Sequence, residues 1–346
     1  MRRVAMAVTS VSLVATLAGC RAQAPSTPPA APAPAVDKDV AQLQQKTARF
    51  AVTDLTADLT ALPSNERDAL AHMVRAAQVM DALFLEQVWS GNETMLYDLI
   101  KDQSPGGKAR LHAFLVNKGP WSRLDHNEPF VAGAPEKPAS ANFYPAGATK
   151  AEVEKWMASL SATEKANVTG FFSTIRRGPR GGFVAVPYSL EYQGELALAA
   201  QHLRAAAAAT AQPTLKAFLE SRAAAFVSND YYASDVKWME LDATIEPTIG
   251  PYEVYEDEWF NYKAAFEAFI TVKDQAESDK LKKFAGSLQS IEDNLPIDPK
   301  YRNPKLGALA PIAVVNEIFA AGDANRGVQT AAFNLPNDEQ IGRAHV

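Results

Sequence analysis

The chain has 346 residues, 47% of them hydrophobic, enough for a sizeable core in one large or two ordinary domains. Its 34 basic against 40 acidic residues leave a net charge of −6 with no basic stripe, which argues against nucleic acid as a partner. A single cysteine, Cys20, excludes an internal disulfide.

At the amino end, Arg2 and Arg3 precede an apolar run from Val4 to Ala18 that is too short to span a bilayer comfortably. Leu17-Ala18-Gly19-Cys20 follows and matches a bacterial lipobox. The expectation is a signal peptide over residues 1–19, cleavage before Cys20 and lipidation of that sulfur. Several acyl chains would then hold the protein on a membrane, periplasm-facing, in the cell envelope. An ordinary secretory signal with an incidental cysteine is the alternative, and it too puts the mature chain outside the cytoplasm. Residues 20–37 hold the lipidated cysteine and a Pro/Ala tether, including Pro28-Pro29-Ala30-Ala31-Pro32-Ala33-Pro34, extended because proline fixes φ and removes donors.

From Lys38 the pattern turns helical. Ser64 reads as the cap of a long helix whose apolar stripe is Leu70, Met73 with Val74, Ala77, Met80, Phe84 and Val88, ended by Gly91. Met95 to Val116 reads as shorter helices broken at Ser104-Pro105-Gly106-Gly107. Asn117 to Gly147 is irregular and long, which is uncommon in a compact domain unless the stretch serves a site. Thr149-x-x-Glu152 and Ser161-x-x-Glu164 are capping boxes that open two helices. Phe183 to Val186 is a short strand, and Ser189 to Val227 is helical with a break near Gln212-Pro213. Asp242 to Asp257 changes to β-branched and aromatic residues punctuated by Pro and Gly; over Tyr252 to Tyr255 a period of two puts Glu253 and Tyr255 on one face. Tyr262 to Leu288 and Ala308 to Ala320 read as helices, and Val328 to Leu335 as the last strand. These elements make an α+β chain, predominantly helical with a small β-core.

Few residues carry a specific chemical signal. Arg176 to Gly182 is basic and glycine-rich and reads as a solvated turn, since it lacks the Lys-Ser/Thr ending and the strand–helix setting of a phosphate loop. His72, His112, His126 and His202 show no His-Glu-x-x-His spacing; His72 has only Asp68 one turn away and His202 has no ligand type there, so no metal site can be argued from them. No Gly-x-Ser-x-Gly elbow is present. Asp257 and Glu258 are acid–base candidates, although such clusters are more often a solvated face. Two patches suit binding: Glu253 to Asp257, and Asn334-Leu335-Pro336-Asn337 at the end of the last strand. Side by side they would gather a carboxylate for an ammonium, a phenol and two amides that read a peptide backbone; the plain alternative is a turn with Glu253 facing water.

Glu253-x-Tyr255-x-Asp257, followed by Ala265-Phe266-Glu267-Ala268-Phe269 and then by Phe333-Asn334-Leu335-Pro336-Asn337-Asp338-Glu339, resembles the dipeptidyl-peptidase III family of zinc metallopeptidases. It looks most like the short bacterial forms and their plant relatives fused to a Nudix domain. The resemblance runs from about Lys38 to Glu339 and takes in Tyr188 to Tyr192 and Ser228 to Asp235. It implies a two-lobed enzyme that removes dipeptides from the amino end of short peptides. It implies that Glu253, Asn334 and Asn337 hold the free amino terminus and that Tyr255 contacts the peptide near the scissile bond.

The family's zinc helix lies downstream of the Asn-x-Pro-Asn motif, so the expectation is zinc in the intact protein with its ligands absent from this chain. Ile341 to Val346 is what ATC GGA AGA GCA CAC GTC encodes, the start of a common sequencing adapter, and is set aside as foreign. Residues 38–340 are then the N-terminal part of a dipeptidyl-peptidase III-like domain, a fragment able to position a peptide and not to hydrolyse one. A non-catalytic helical envelope lipoprotein that binds or scaffolds is the alternative, and a peptidase-derived fold that has lost its metal is a third reading.

Overall fold

The computed structural model describes residues 38–306, 313–330, 332, 333 and 335, with no account of the side chains of 38 and 282–285. Cys20, the tether, Asn334, Asn337 and the tail from 336 onward therefore lie outside the described residues.

The first half is helical: α1 (Lys38–Thr47), α2 (Ser64–Val88), α3 (Asn92–Lys101) and α4 (Pro105–Asn117). Two-residue strands β1 (Trp121–Ser122) and β2 (Glu128–Pro129) are the only regular strands described in the irregular stretch that follows. Next come α5 (Lys150–Ala158), α6 (Ala162–Thr169), the hairpin β3 (Ser173–Arg177) and β4 (Phe183–Pro187), α7 (Tyr188–Glu191), α8 (Gln193–Ala209), α9 (Pro213–Ser228) and α10 (Tyr232–Met239). The last part holds β5 (Ile245–Pro251), β6 (Phe266–Lys273), α11 (Gln275–Ala285), α12 (Leu288–Asp293) and β7 (Val315–Gly322). β5, β6 and β7 form one antiparallel sheet with β6 in the middle. The chain is α+β and mostly helical, as the sequence implies.

The long helix is the organising rod. Met73, Ala77, Met80, Phe84 and Val88 of α2 are all fully buried, against Leu196, Ala200 and Leu203 of α8 on one side and β6 and β7 on the other. Ser64 does not cap it: Pro63 is the N-cap, its φ of −56° already set for entry, and Ser64 lies in the first turn with no capping bond. The helix ends at Val88, before Gly91, which instead precedes α3. Both capping boxes form, each Glu carboxylate accepting from the backbone N–H of its Thr or Ser.

Four expectations of secondary structure fail. Tyr262 to Leu288 is not one helix but β6 followed by α11 and the first residue of α12. In β6 seven of eight residues are buried, so both faces are covered; Phe266, Ala268, Ile270 and Val272 line one face and Glu267, Thr271 and Lys273 the other, but Phe269 interrupts the alternation and lets the run pass for a helix. Ala313 to Ala320, the described part of the second expected helix, is loop and β7, where pairing with β6 overrides the helix preference of its alanines. The described residues between Val328 and Leu335 form no strand. Arg176 and Arg177 belong to β3 rather than to a loop; Gly178 to Gly182 make the hairpin turn.

Candidate functional site

Four elements end at one corner of the sheet. β5 gives way after Pro251 to the segment carrying Glu253, Tyr255, Glu256 and Asp257. Pairing persists a little beyond the strand: Tyr252 N donates to Ala265 O at 3.1 Å and Ala265 N donates to Glu253 O at 2.7 Å. Glu253 thus sits just past β5, held against the start of β6, and Tyr255 in the turn that follows; neither is on a regular strand. On β6, Glu267 faces Gly322 of β7 in the register, and Asp323 and Arg326 follow just past β7. From α2, the buried Gln87 reads the backbone entering β6, its amide donating to Ala264 O at 3.2 Å and accepting from Phe266 N at 2.7 Å. Asp81, also on α2, accepts from Gly322 N at 2.6 Å and Lys118 Nζ at 2.8 Å.

The polar side chains at this corner form a charge cluster. Glu256 is 1% exposed and meets Arg123 at 2.6 Å, Lys137 at 3.1 Å and Arg326 at 3.4 Å. Burial alone would raise its pKa; the three cations overcome that and hold it down at about 2. Arg326 also pairs with Asp323. Burial pushes Asp323 up to about 7 against the pull of Arg326, with Glu256 and Glu253 adding to the push. Glu267 is driven well up by burial and by Asp323 and Glu253. Glu253 itself is half-buried, and burial raises it with Arg326 opposing. Tyr255 is 64% exposed and free to meet a ligand.

Asp257 is not an acid–base group on a solvated face. It is fully buried and accepts from Tyr144 Oη at 2.8 Å, Tyr262 N at 2.9 Å and the backbone of Phe260 and Lys263, each at 3.2 Å. It fixes the turn that presents Tyr255. Glu258 is exposed and pairs with Lys137 at 2.8 Å. The irregular stretch after Asn117 contributes Arg123 and Lys137, which explains why so long a segment is kept ordered.

Asn334 and Asn337 lie outside the described residues, so their meeting with Glu253 remains an expectation. Their described neighbours are held: Phe333 stacks on Phe269 of β6 at 4.3 Å and Leu335 is buried. The sequence reading missed Glu267, Asp323 and Arg326. Glu267 carried a usable signal, a lone charge inside the apolar run from Ala264 to Ile270. A groove of about 1130 Å³ lies elsewhere, lined by Val40, Leu43, Trp89, Met95 and Phe130 among others and by none of these carboxylates.

Residues 133–335 match the family model of Peptidase family M49. The chain belongs to this family, that of dipeptidyl-peptidase III. It is 64% identical to dipeptidyl-peptidase III from Corallococcus sp. strain EGB, with a TM-score of 0.83 over 88% of this chain and 56% of that one. It is 47% identical to DPP III from Caldithrix abyssi, again with a TM-score of 0.83, over 87% of this chain and 57% of that one. It is also 38% identical to Nudix hydrolase 3 of Arabidopsis thaliana over 86% of this chain and 45% of that protein. The chain therefore spans about half the length of these relatives. The family is one of metallopeptidases, and zinc is the metal it implies. Among the described residues no group of three or more His, Cys, Asp or Glu converges to hold an ion, so they do not fit a zinc centre. No helix among the described residues is long and apolar enough to cross a membrane.

Proposed function

We propose that this chain carries the substrate-holding part of a dipeptidyl peptidase that removes dipeptides from the amino end of short peptides. The observation that carries the reading is the half-buried carboxylate of Glu253 at the sheet corner, its surroundings enriched in acid. Glu253, Glu256, Glu267 and Asp323 face three cations, Arg123, Lys137 and Arg326, all but Glu253 already paired or deeply buried. A substrate ammonium supplies a fourth positive charge where one carboxylate lacks a close partner. Tyr255, exposed two residues on, would lie along the peptide, and Asn334 and Asn337 would read its first amides.

In the whole enzyme zinc would activate the attacking water; the part assigned to this chain is to bind and orient. The test is calorimetric titration of the chain with tetra-alanine and with its N-acetylated form. Free peptide should bind and the acetylated one should not, and Glu253→Gln should weaken binding by about 2–4 kcal/mol, the scale for truncating a buried charge partner. Equal binding of both peptides would reject the assignment. Zinc dependence of the whole enzyme is checked by chelator-sensitive release of dipeptides. Anchoring through Cys20 in the envelope belongs to the same proposal: labelling with radioactive palmitate in a bacterial host should mark the wild type and not Cys20→Ala.

A further inference from the structure

His72 of α2 and His202 of α8 are 130 positions apart in sequence, and the fold sets their rings side by side, centroids 5.9 Å apart and planes tilted by 35°. The Nδ1 of His72 is buried with no hydrogen-bond partner among the described residues. A desolvated, uncommitted imidazole nitrogen loses nothing by accepting a metal. Both residues are partly exposed, which leaves an entry path. Asp68, exposed and one turn before His72, puts a carboxylate on the same side of α2. Arg75 also acts on His202, and its positive charge holds affinity down.

We propose that His72 and His202 form a clip for a divalent transition-metal ion of the Zn²⁺, Ni²⁺ or Cu²⁺ type across the seam between α2 and α8. With metal–nitrogen bonds of about 2.0–2.1 Å, two imidazoles on one ion sit roughly 5 Å apart between centroids, and the observed 5.9 Å lies within about 1 Å of that spacing. No third ligand is preassembled among the described residues, and water completes the shell. The clip is structural: fifteen residues of helix, about 22 Å, separate His72 from Gln87 at the peptide corner. It joins the two helices whose packing forms the centre of the core, and an ion that binds only the folded seam stabilises the fold.

The test uses the 346-residue chain stripped of metal, with Zn²⁺ as the probe in thermal unfolding and calorimetry and Cu²⁺ as the probe in electron paramagnetic resonance. One equivalent of Zn²⁺ should raise the Tm of the wild type, and bound Cu²⁺ should show coupling to two nitrogens. His72→Gln and His202→Gln should keep the metal-free Tm, lose the Zn²⁺ shift, and bind Zn²⁺ weaker by about tenfold or more, since even outer-shell partners count on that scale. The same Zn²⁺ shift in the wild type and both variants would mean that other groups bind the ion and would overturn the proposal. So would the absence of any shift in the wild type, or a single-nitrogen spectrum.

Discussion

Glu256 shows how a residue next to a side chain proposed to bind substrate can be the less replaceable of the two. Tyr255 faces solvent, while Glu256 is enclosed with Arg123, Lys137 and Arg326 around its carboxylate. Glu256→Gln leaves three cations facing a neutral amide, and it should cost about 3–5 kcal/mol at pH 7 in chemical denaturation. The folded pKa, about 2, lies below the unfolded one, so the ionised carboxylate contributes stability above the unfolded value and loses it as pH falls toward about 2. The deficit of the variant should therefore narrow from about pH 4.5 downward; a deficit independent of pH would place the effect in packing instead. Of these groups, Glu253 and Tyr255 are legible in the sequence as a spaced pair. The guard around Glu256 is not, since Arg123 comes from 133 positions earlier and only the fold brings it in.

At the scale of elements, what could be read depended on how local the cause was. The capping boxes at Thr149 and Ser161 are complete within four residues, and both form as their spacing requires. β6 is the opposite case: Phe266, Phe269, Ile270 and Val272 carry strand-type side chains, yet Phe269 falls among Glu267, Thr271 and Lys273 on the polar face and blurs the alternation that would betray a strand. The turn at its neighbour's end depends on one glycine. Gly322 has φ of 65°, and a Cβ there would collide with the carbonyl oxygen of Phe266. Gly322→Ala should lower stability by about 1–3 kcal/mol and weaken peptide binding, by displacing Asp323 and Arg326. Gly147→Ala is the control, with φ of 75° but nothing near the added carbon; it should carry only the backbone penalty and leave binding unchanged. Equal loss of binding in both would detach Gly322 from the site.

Across the whole molecule, the mostly helical α+β class was readable because composition and long amphipathic stretches set it, and membership of family M49 agrees with it. The convergence of β5, β6, β7 and the stretch after Asn117 on one corner was not readable, since it depends on pairings between distant segments. On the proposed function, the corner should give peptide affinity a pH dependence. An incoming ammonium favours ionised carboxylates, so affinity should climb as pH rises through about 7, where Asp323 gives up its proton. It should fall again as the peptide's own amine, near 7.7–8.0 in its unperturbed state, becomes neutral. Calorimetry in buffers of different ionisation enthalpy between pH 6 and 8.5 would register proton release on the rising limb; affinity flat across that range contradicts the coupling.

The bond from Gly322 N to Asp81 carries a consequence for motion. It ties the turn beyond β7 to the middle of the longest helix, so that turn cannot loosen by itself. Amide exchange at Gly322 should be as slow as at buried residues of α2, and Asp81→Ala should speed it at Gly322 while leaving β5 protected. On the proposed function this corner would be a fixed jaw for the peptide, and any give on binding would fall to some other joint.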